Sequence, residues 1–269
     1  MKNVLVIGAH SYIGQKFKEY ILVCKIETIS VDMVSASDGS WRYIDFSGYD
    51  AILHLSGIVH KKEKKKMESL YYEINHKLTV EIAKKAKLNN VSQFIFMSTA
   101  AVYGSFIGCI TKETIPNPIT LYGKSKLAAE EDIIKLQDDK FKVAIVRPPM
   151  IYGEGCKGNY TKIIKVARYL PIFPEFHNKR SILNVDNLSN YIVKIILSNG
   201  YGYFFPQNHK CLDICDFIVE LRCNLGKTTK LIKGMDPLIN FLIKNINICR
   251  KIFSDLYYEE ELWLNQKYL

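Results

Sequence analysis

Up to about residue 146, short continuous apolar runs alternate with stretches whose apolar residues recur every three or four positions. Residues 3–7, Asn-Val-Leu-Val-Ile, are the first such run and read as a strand covered on both faces. A helical pattern follows in Ile13, Phe17, Tyr20 and Ile21. Further strands are predicted over residues 26–32, 41–46, 51–56, 93–97 and 140–146. Leu70, Ile74, Leu78, Ile82 and Ala86 fall at four-residue intervals, which predicts an amphipathic helix over 70–88 with these residues inward. A second helix is predicted from Tyr122 to Leu136, facing Leu127, Ile133 and Ile134 inward. Strand and helix in alternation imply parallel βαβ crossovers, hence an α/β fold built on a doubly wound parallel sheet.

Beyond residue 150 the alternation breaks down. A Gly-rich loop over 151–159 precedes a basic amphipathic helix over 160–169, and another helix ends near Ile196. Residues 204–208 read as one more strand and loop. The pattern predicts a domain over 1–155 and a smaller lobe over 156–269, with interleaved elements at the boundary. The tail over 235–256 is apolar but interrupted by Lys, Asn and Arg. It reads as a packing helix, with a membrane-surface or partner helix as the alternative. No window approaches 18 uncharged apolar residues, so no transmembrane segment is expected. Met1-Lys-Asn leads directly into the first strand, which is no signal peptide.

Gly8-Ala-His-Ser-Tyr-Ile-Gly14 stands between the first strand and the first helix, the context in which a Gly-rich turn means dinucleotide binding. Gly8 permits the tight turn, Gly14 lets the helix pack on the sheet, and the helix N-terminus faces a pyrophosphate. Ser11 occupies the usual place of a third glycine, with a hydroxyl within reach of phosphate; Tyr12 and Ile13 complete the turn. Asp32 lies 18 residues past Gly14, where a carboxylate meets the adenosine ribose. It favours NAD, because a carboxylate repels the 2′-phosphate of NADP; Arg42 in the following loop keeps NADP open. Leu55, Ser56 and Gly57 end a strand in small residues that let a cofactor backbone pass, and Asn75 is placed to support a loop beneath the active site.

Tyr122 and Lys126, four residues apart, share a helix face. An ammonium beside a phenol favours phenolate and lowers a Tyr pKa of about 10. Such a Tyr exchanges a proton with a sugar hydroxyl while hydride moves the other way. Thr99, at the C-terminal end of the predicted 93–97 strand, would bond the same oxygen, and ligands of open parallel sheets bind outside those ends. Tyr-x-x-x-Lys alone also describes an ordinary helix surface, so the surrounding motifs carry the reading.

The net charge of +10 is spread along the chain, and only residues 60–66 form a dense run. No basic motif interleaved with aromatics points to nucleic acid, whereas phosphate-bearing small substrates suit the charge. Seven scattered cysteines without a Cys-x-x-Cys pair give neither a disulfide framework nor a metal site. A reducing cytoplasm is the expected location.

With these residues in place the chain resembles the extended short-chain dehydrogenase/reductases, within them the NAD-dependent sugar epimerase/dehydratase family. The resemblance runs from Met1 to about Asn208. It rests on Gly8–Gly14, Asp32, His54-Leu-Ser-Gly57, Thr99–Gly104, Tyr122–Lys126, Arg147-Pro148 with Tyr152-Gly153, and Arg180 with Val185-Asp186 in the family's order. It implies a Rossmann-like sheet with a small C-terminal substrate-binding lobe. Tyr122 would be the general acid/base, Lys126 would hold the nicotinamide ribose, and Thr99 would replace the commoner Ser. Asp45, Phe46 and Pro148 would join the cofactor contacts. Asn159 and Arg180 match positions that hold a nucleotide-sugar's diphosphate and uridine, beside Thr99 and Tyr122 at the sugar. Family 4,6-dehydratases place Asp-Glu after the catalytic Thr; Ala100 and Ala101 stand there instead, so dehydration has no catalyst. Hydride chemistry at C4 remains. Thr-Ala-Ala-Val-Tyr-Gly most resembles UDP-hexose 4-epimerases, whereas the short region past residue 160 suits an NAD(P)H-dependent 4-keto-sugar reductase. A non-catalytic dinucleotide-binding protein is the third possibility. The resemblance further implies a homodimer through helices 70–88 and 122–136, and a place in surface-polysaccharide synthesis.

Overall fold

The computed structural model describes residues 1–59, 65–105, 107–156, 158–246, 249–250 and 253–264; most of the 60–66 charge run falls outside them. Six parallel strands make the central sheet: β1 (Lys2–Ile7), β2 (Ile29–Val34), β3 (Ala51–His54), β4 (Gln93–Met97), β6 (Lys142–Val146) and β10 (Gly202–Phe204). Between β4 and β6 the short β5 (Gly108–Ile110) leaves this sheet. The spatial order is β10-β6-β4-β3-β1-β2, so the chain steps from β2 across β1 to reach β3. That crossing makes the topological switch point, where ligands of such sheets bind.

Alternate residues of β1 serve opposite layers. Val4 and Val6 pack with Phe17 and Ile21 of α1 (Tyr12–Val23) and with Leu188 and Ile192 of α6 (Val185–Leu197). Leu5 and Ile7 pack with Ile82 and Ala86 of α3 (Leu78–Leu88) and with Ala129 and Ile133 of α4 (Leu121–Ile134). A strand buried on both faces has no polar side to display, which is why its sequence reads as an unbroken apolar run.

Residues 41–46 are not a strand. Gly39, at φ +75°, and the Asp38 carboxylate, which accepts from Ser40 N at 2.9 Å, start a tight 3-10 turn over Ser40–Tyr43. Trp41 and Phe46 drop into the core beneath α3 as plugs, so the sheet ends at β2.

The predicted 70–88 helix is continuous but not uniform. It opens as α2 (Glu68–Tyr71), widens to a π-helix over Tyr72–Lys77 and continues as α3. Its first half is turned one position from the expected stripe. Tyr71, Asn75 and Thr79 are buried, while Leu70 is exposed and Ile74 and Leu78 are half-covered.

After β7 (Met150–Tyr152), a second small core gathers Ile163 and Ala167 of α5 (Asn159–Tyr169), Phe173 of β8 (Ile172–Pro174), and Ile214 and Ile218 of α7 (Ile214–Asn224). β11 (Lys230–Ile232) pairs with β8, and α8 (Asp236–Asn245) follows within the predicted tail. The sheet also takes α6 and β10 from beyond residue 156, while β9 (Ile182–Asn184) pairs with β7. The final strand, β12 (Leu256–Tyr258), pairs with β5 and so ties the lobe to the sheet domain. Among the described residues no helix is long and apolar enough to cross a membrane.

Candidate active site

Three strand ends meet at the switch point. Gly8 follows β1 at φ +129°, and a Cβ built on it lies 3.1 Å from Ser56 Oγ and 3.3 Å from Leu55 C. Any side chain would force the Gly8 loop away from the end of β3. Ser11 Oγ accepts from Gly14 N at 3.0 Å and caps α1, so its oxygen serves the helix before any phosphate. Tyr12 donates to the Glu154 carbonyl at 3.0 Å and tethers the 153–155 loop.

Asp32 is exposed on β2 and accepts from the Tyr49 hydroxyl at 3.0 Å. Arg42, the cation that keeps NADP open, is held by Glu81 through Nε at 3.1 Å and Nη2 at 2.9 Å, and covers the Trp41 ring. Asp45 and Phe46, expected beside the cofactor, are engaged within the fold. Both Asp45 oxygens bond Ser47, the Phe46 ring is core, and Phe46 N is spent on Asn89 Oδ1 at 3.2 Å.

Thr99 leaves β4 as the cap of a short 3-10 turn, accepting from Ala101 N at 3.1 Å. Pro148 accepts from Ala100 N at 2.9 Å, which fixes that turn against the end of β6. Thr99 and the Tyr122 phenol are hydrogen-bonded. Burial pushes Tyr122 up to about 12, with the Thr99 bond pulling the other way and the Tyr71 phenol adding to the rise. The polypeptide by itself therefore does not lower Tyr122 as the Lys126 spacing predicts. Lys126 is 2% exposed and is itself brought down to about 7 by burial, against a pull from Glu130. Its ammonium donates to the Met97 carbonyl at 2.9 Å and stands 4.4 Å from the Phe96 ring centroid. Met97 is its one hydrogen-bond partner among the described residues, although an ammonium has three donors. A buried amine with donors to spare beside Gly57 fits the vicinal hydroxyls of a cofactor ribose.

Lys126 also gives stability a pH dependence. Its folded pKa of about 7 lies below its ordinary value of 10.5, so in that interval the unfolded chain binds a proton that the folded protein refuses. The stability it contributes is full above about 10.5, falls as pH drops through the interval, and is level below about 7. Lys126→Met should flatten this slope and raise the unfolding midpoint at the acidic end of the window, as thermal melts across it would read.

Beneath the pair, Asn75 accepts from Ile58 N at 2.7 Å and donates to Ile58 O and Ser125 Oγ, both at 3.1 Å. Ser125 Oγ in turn donates to the Tyr122 carbonyl at 3.0 Å. The π-helical widening holds Asn75 inward, where it joins the β3 loop to the Tyr122 helix. A Cβ on Gly57 would lie 2.9 Å from Asn75 Oδ1 and 3.4 Å from Lys126 Nζ. Gly57→Ala should displace both, lowering kcat/KM at least about tenfold and stability by about 1–3 kcal/mol in urea unfolding.

Sequence reading passed over Glu130 behind the strand ends and named Arg147 only within a motif. Glu130 lies one turn beyond Lys126 and is fully buried; Arg147 grips it through Nη2 at 2.5 Å and Nε at 3.1 Å, and Ser98 donates to it. Burial opposes the Arg147 charge, but its bonds to Glu130 and Tyr103 outweigh that and hold its pKa above the ordinary range. The signal was present: Tyr122, Lys126 and Glu130 form one i, i+4, i+8 stripe. His54, singled out by motif, is a neutral core group stacked on Phe94 and Phe96, its pKa lowered to about 3 by burial.

Arg180 lines a small cleft whose walls also include Ala100, Met150, Leu256 and Tyr257. Its Nη1 donates to the Ser254 carbonyl at 2.7 Å, and burial lowers it to about 10 against a pull from Asp255. Asn159 opens α5, but its side chain lies outside the described residues.

The chain is 34% identical to the UDP-glucose 4-epimerase of Vibrio cholerae over 189 residues, 66% of this chain and 58% of that one. It thus spans less than two thirds of that relative. It is 25% identical to the N-acetyl-alpha-D-glucosaminyl-diphospho-ditrans,octacis-undecaprenol 4-epimerase of Escherichia coli O157:H7, over 84% of this chain and 73% of that one. Among solved structures, the UDP-glucuronic acid 4-epimerase of Bacillus cereus in complex with NAD superposes with a TM-score of 0.73 at 17% identity, covering 99% of this chain and 91% of that one. The sequence profile of the NAD dependent epimerase/dehydratase family matches residues 4–202, and the chain belongs to that family.

Proposed function

We propose that the protein is an NAD-dependent 4-epimerase of a diphosphate-activated hexose, a UDP-sugar first. The observation that carries this is the Thr99–Tyr122 hydrogen bond at the end of β4, with the under-bonded Lys126 one helical turn on. When bound, the cofactor supplies hydride acceptance from C4 and hydride return. Tyr122 takes the C4 hydroxyl proton at its phenol oxygen and gives it back, while Thr99 orients that oxygen. Lys126 holds the ribose; with a fuller set of acceptors it stays charged and draws the phenol down towards working pH. Asp32 receives the adenosine ribose, and Arg42 is engaged by Glu81, which favours NAD. Dehydration lacks its acid and base, since Ala100 and Ala101 follow Thr99. Arg180 and the α5 N-terminus at Asn159 serve the diphosphate, within a substrate lobe formed by 156–269 apart from α6 and β10.

A lipid-borne diphosphate sugar is the second substrate reading, favoured by the share of this chain that matches the Escherichia coli relative. Leu70, exposed, and Ile74, half-covered, offer part of the apolar seam of a homodimer with the Tyr122 helix. Seven free cysteines fit a reducing cytoplasm.

The test is the cofactor released from denatured protein, followed by turnover without added nucleotide. NAD in equimolar amount, with UDP-glucose or UDP-N-acetylglucosamine converted to its 4-epimer, is expected. An empty protein that binds NADPH reversibly and consumes it on a UDP-4-keto-sugar would overturn the epimerase in favour of the reductase.

A further inference from the structure

The C-terminal lobe turns an apolar and strongly basic face outwards. Tyr169, Leu170 and Ile172 are 73%, 48% and 50% exposed, and Leu238 and Phe241 of α8 are 49% and 62% exposed. Strand pairing sets Ile172 against β11, and α8 follows β11 in the chain. β8 and β11 pair in register, setting Ile172 beside Lys230 and Pro174 beside Ile232 on one face, while Phe173 points into the lobe core. Lys230 N donates to the Pro171 carbonyl at 2.9 Å, and the Lys227 ammonium donates to the Arg168 carbonyl at 3.1 Å. After three intervening residues α8 begins; it buries Ile239 and Ile243 and leaves Leu238 and Phe241 exposed.

The charge around this face is predominantly positive, with Glu175, 3.9 Å from Lys233, and Asp236 as its acids. Residues 222–251 include seven Lys and Arg against a single acid, Asp236. Arg222 is buried on backbone carbonyls, whereas Lys227, Lys230, Lys233 and Lys244 are exposed. A second copy of the chain would bring like charges together across such a contact, which opposes self-association. Rings and aliphatic side chains framed by ammonium groups instead suit the headgroup layer of an anionic bilayer. There the apolar groups enter the acyl boundary and each Lys gains from the surface potential.

We propose that this face, from Tyr169–Ile172 through β11 to α8, docks the protein on an anionic phospholipid surface. The docking stands apart from the sugar chemistry, so either proposal survives failure of the other.

The experiment is co-sedimentation of the full chain with vesicles of phosphatidylcholine alone or with about three parts in ten phosphatidylglycerol, at about 0.1 M salt. Binding to the anionic vesicles only, weakened by further salt, is expected. Two double variants, Leu238→Ser with Phe241→Ser and Lys230→Glu with Lys233→Glu, should each reduce it at least tenfold while circular dichroism and oligomeric mass stay unchanged. Three results would overturn the proposal: no sedimentation with anionic vesicles, equal sedimentation with both compositions, or variants that lower the oligomeric mass and leave sedimentation intact.

Discussion

Tyr122→Phe is expected to lower kcat by about 10²–10⁴-fold and to leave NAD affinity nearly unchanged. The phenol oxygen is hydrogen-bonded to Thr99 and carries the proton that the proposed mechanism exchanges, and phenylalanine keeps the ring in its site. Steady-state epimerisation, paired with titration of the stripped protein with NAD, separates the two quantities. Equal losses in both would make Tyr122 a binding residue. Full activity in the Phe variant would remove the proposed mechanism. The same variant also distinguishes an enzyme from a binding protein that merely retains the fold.

Arg147→Ala should be the most damaging single change away from the reacting groups, at about 3–5 kcal/mol of stability. It strands the Glu130 carboxylate, which is fully buried, and takes from Tyr103 the guanidinium that donates to its hydroxyl at 2.8 Å. Two charges out of water are tolerable only while each satisfies the other. Urea unfolding reads the loss, and pairing Arg147→Met with Glu130→Leu should recover much of it, since apolar replacements of similar volume leave no orphaned charge. If the double variant is no more stable than Arg147→Ala, the pair matters through shape rather than charge. Tyr258 donates to the Arg147 carbonyl at 2.6 Å, so the damage should extend to β12 and the cleft it lines.

The sheet and its Gly-rich turn were legible because their physics is local: strands covered on both faces must be apolar, and the position of Gly8 admits no side chain. Thr99, Tyr122 and Lys126 were legible for the same reason, being placed by one strand end and one helical turn. Residues 41–46 misled because apolar content, without alternation, cannot tell a strand from a plugged turn; Asp38 and Gly39 decided for the turn. The 70–88 helix misled more instructively. A strict four-residue spacing outruns the α-helical turn of about 3.6 residues, and the π-helical segment takes up the difference. The polar Asn75 and Thr79 then claim the interior from Ile74 and Leu78, through bonds to the β3 loop and to His54. The tuning of Tyr122 and Lys126 was not legible, because desolvation depends on the whole enclosure and not on spacing.

The sheet is complete once Phe204 has been added, yet the wall of the Arg180 cleft needs Leu256 and Tyr257, about fifty residues later in the chain. Chains leave the ribosome N-terminus first and fold by units as they emerge. The Gly8 turn, Asp32, Tyr122 and Lys126 can therefore assemble on a nascent chain that still lacks this wall. β12 joins a finished sheet afterwards and, paired with β5, is the stitch that closes the cleft.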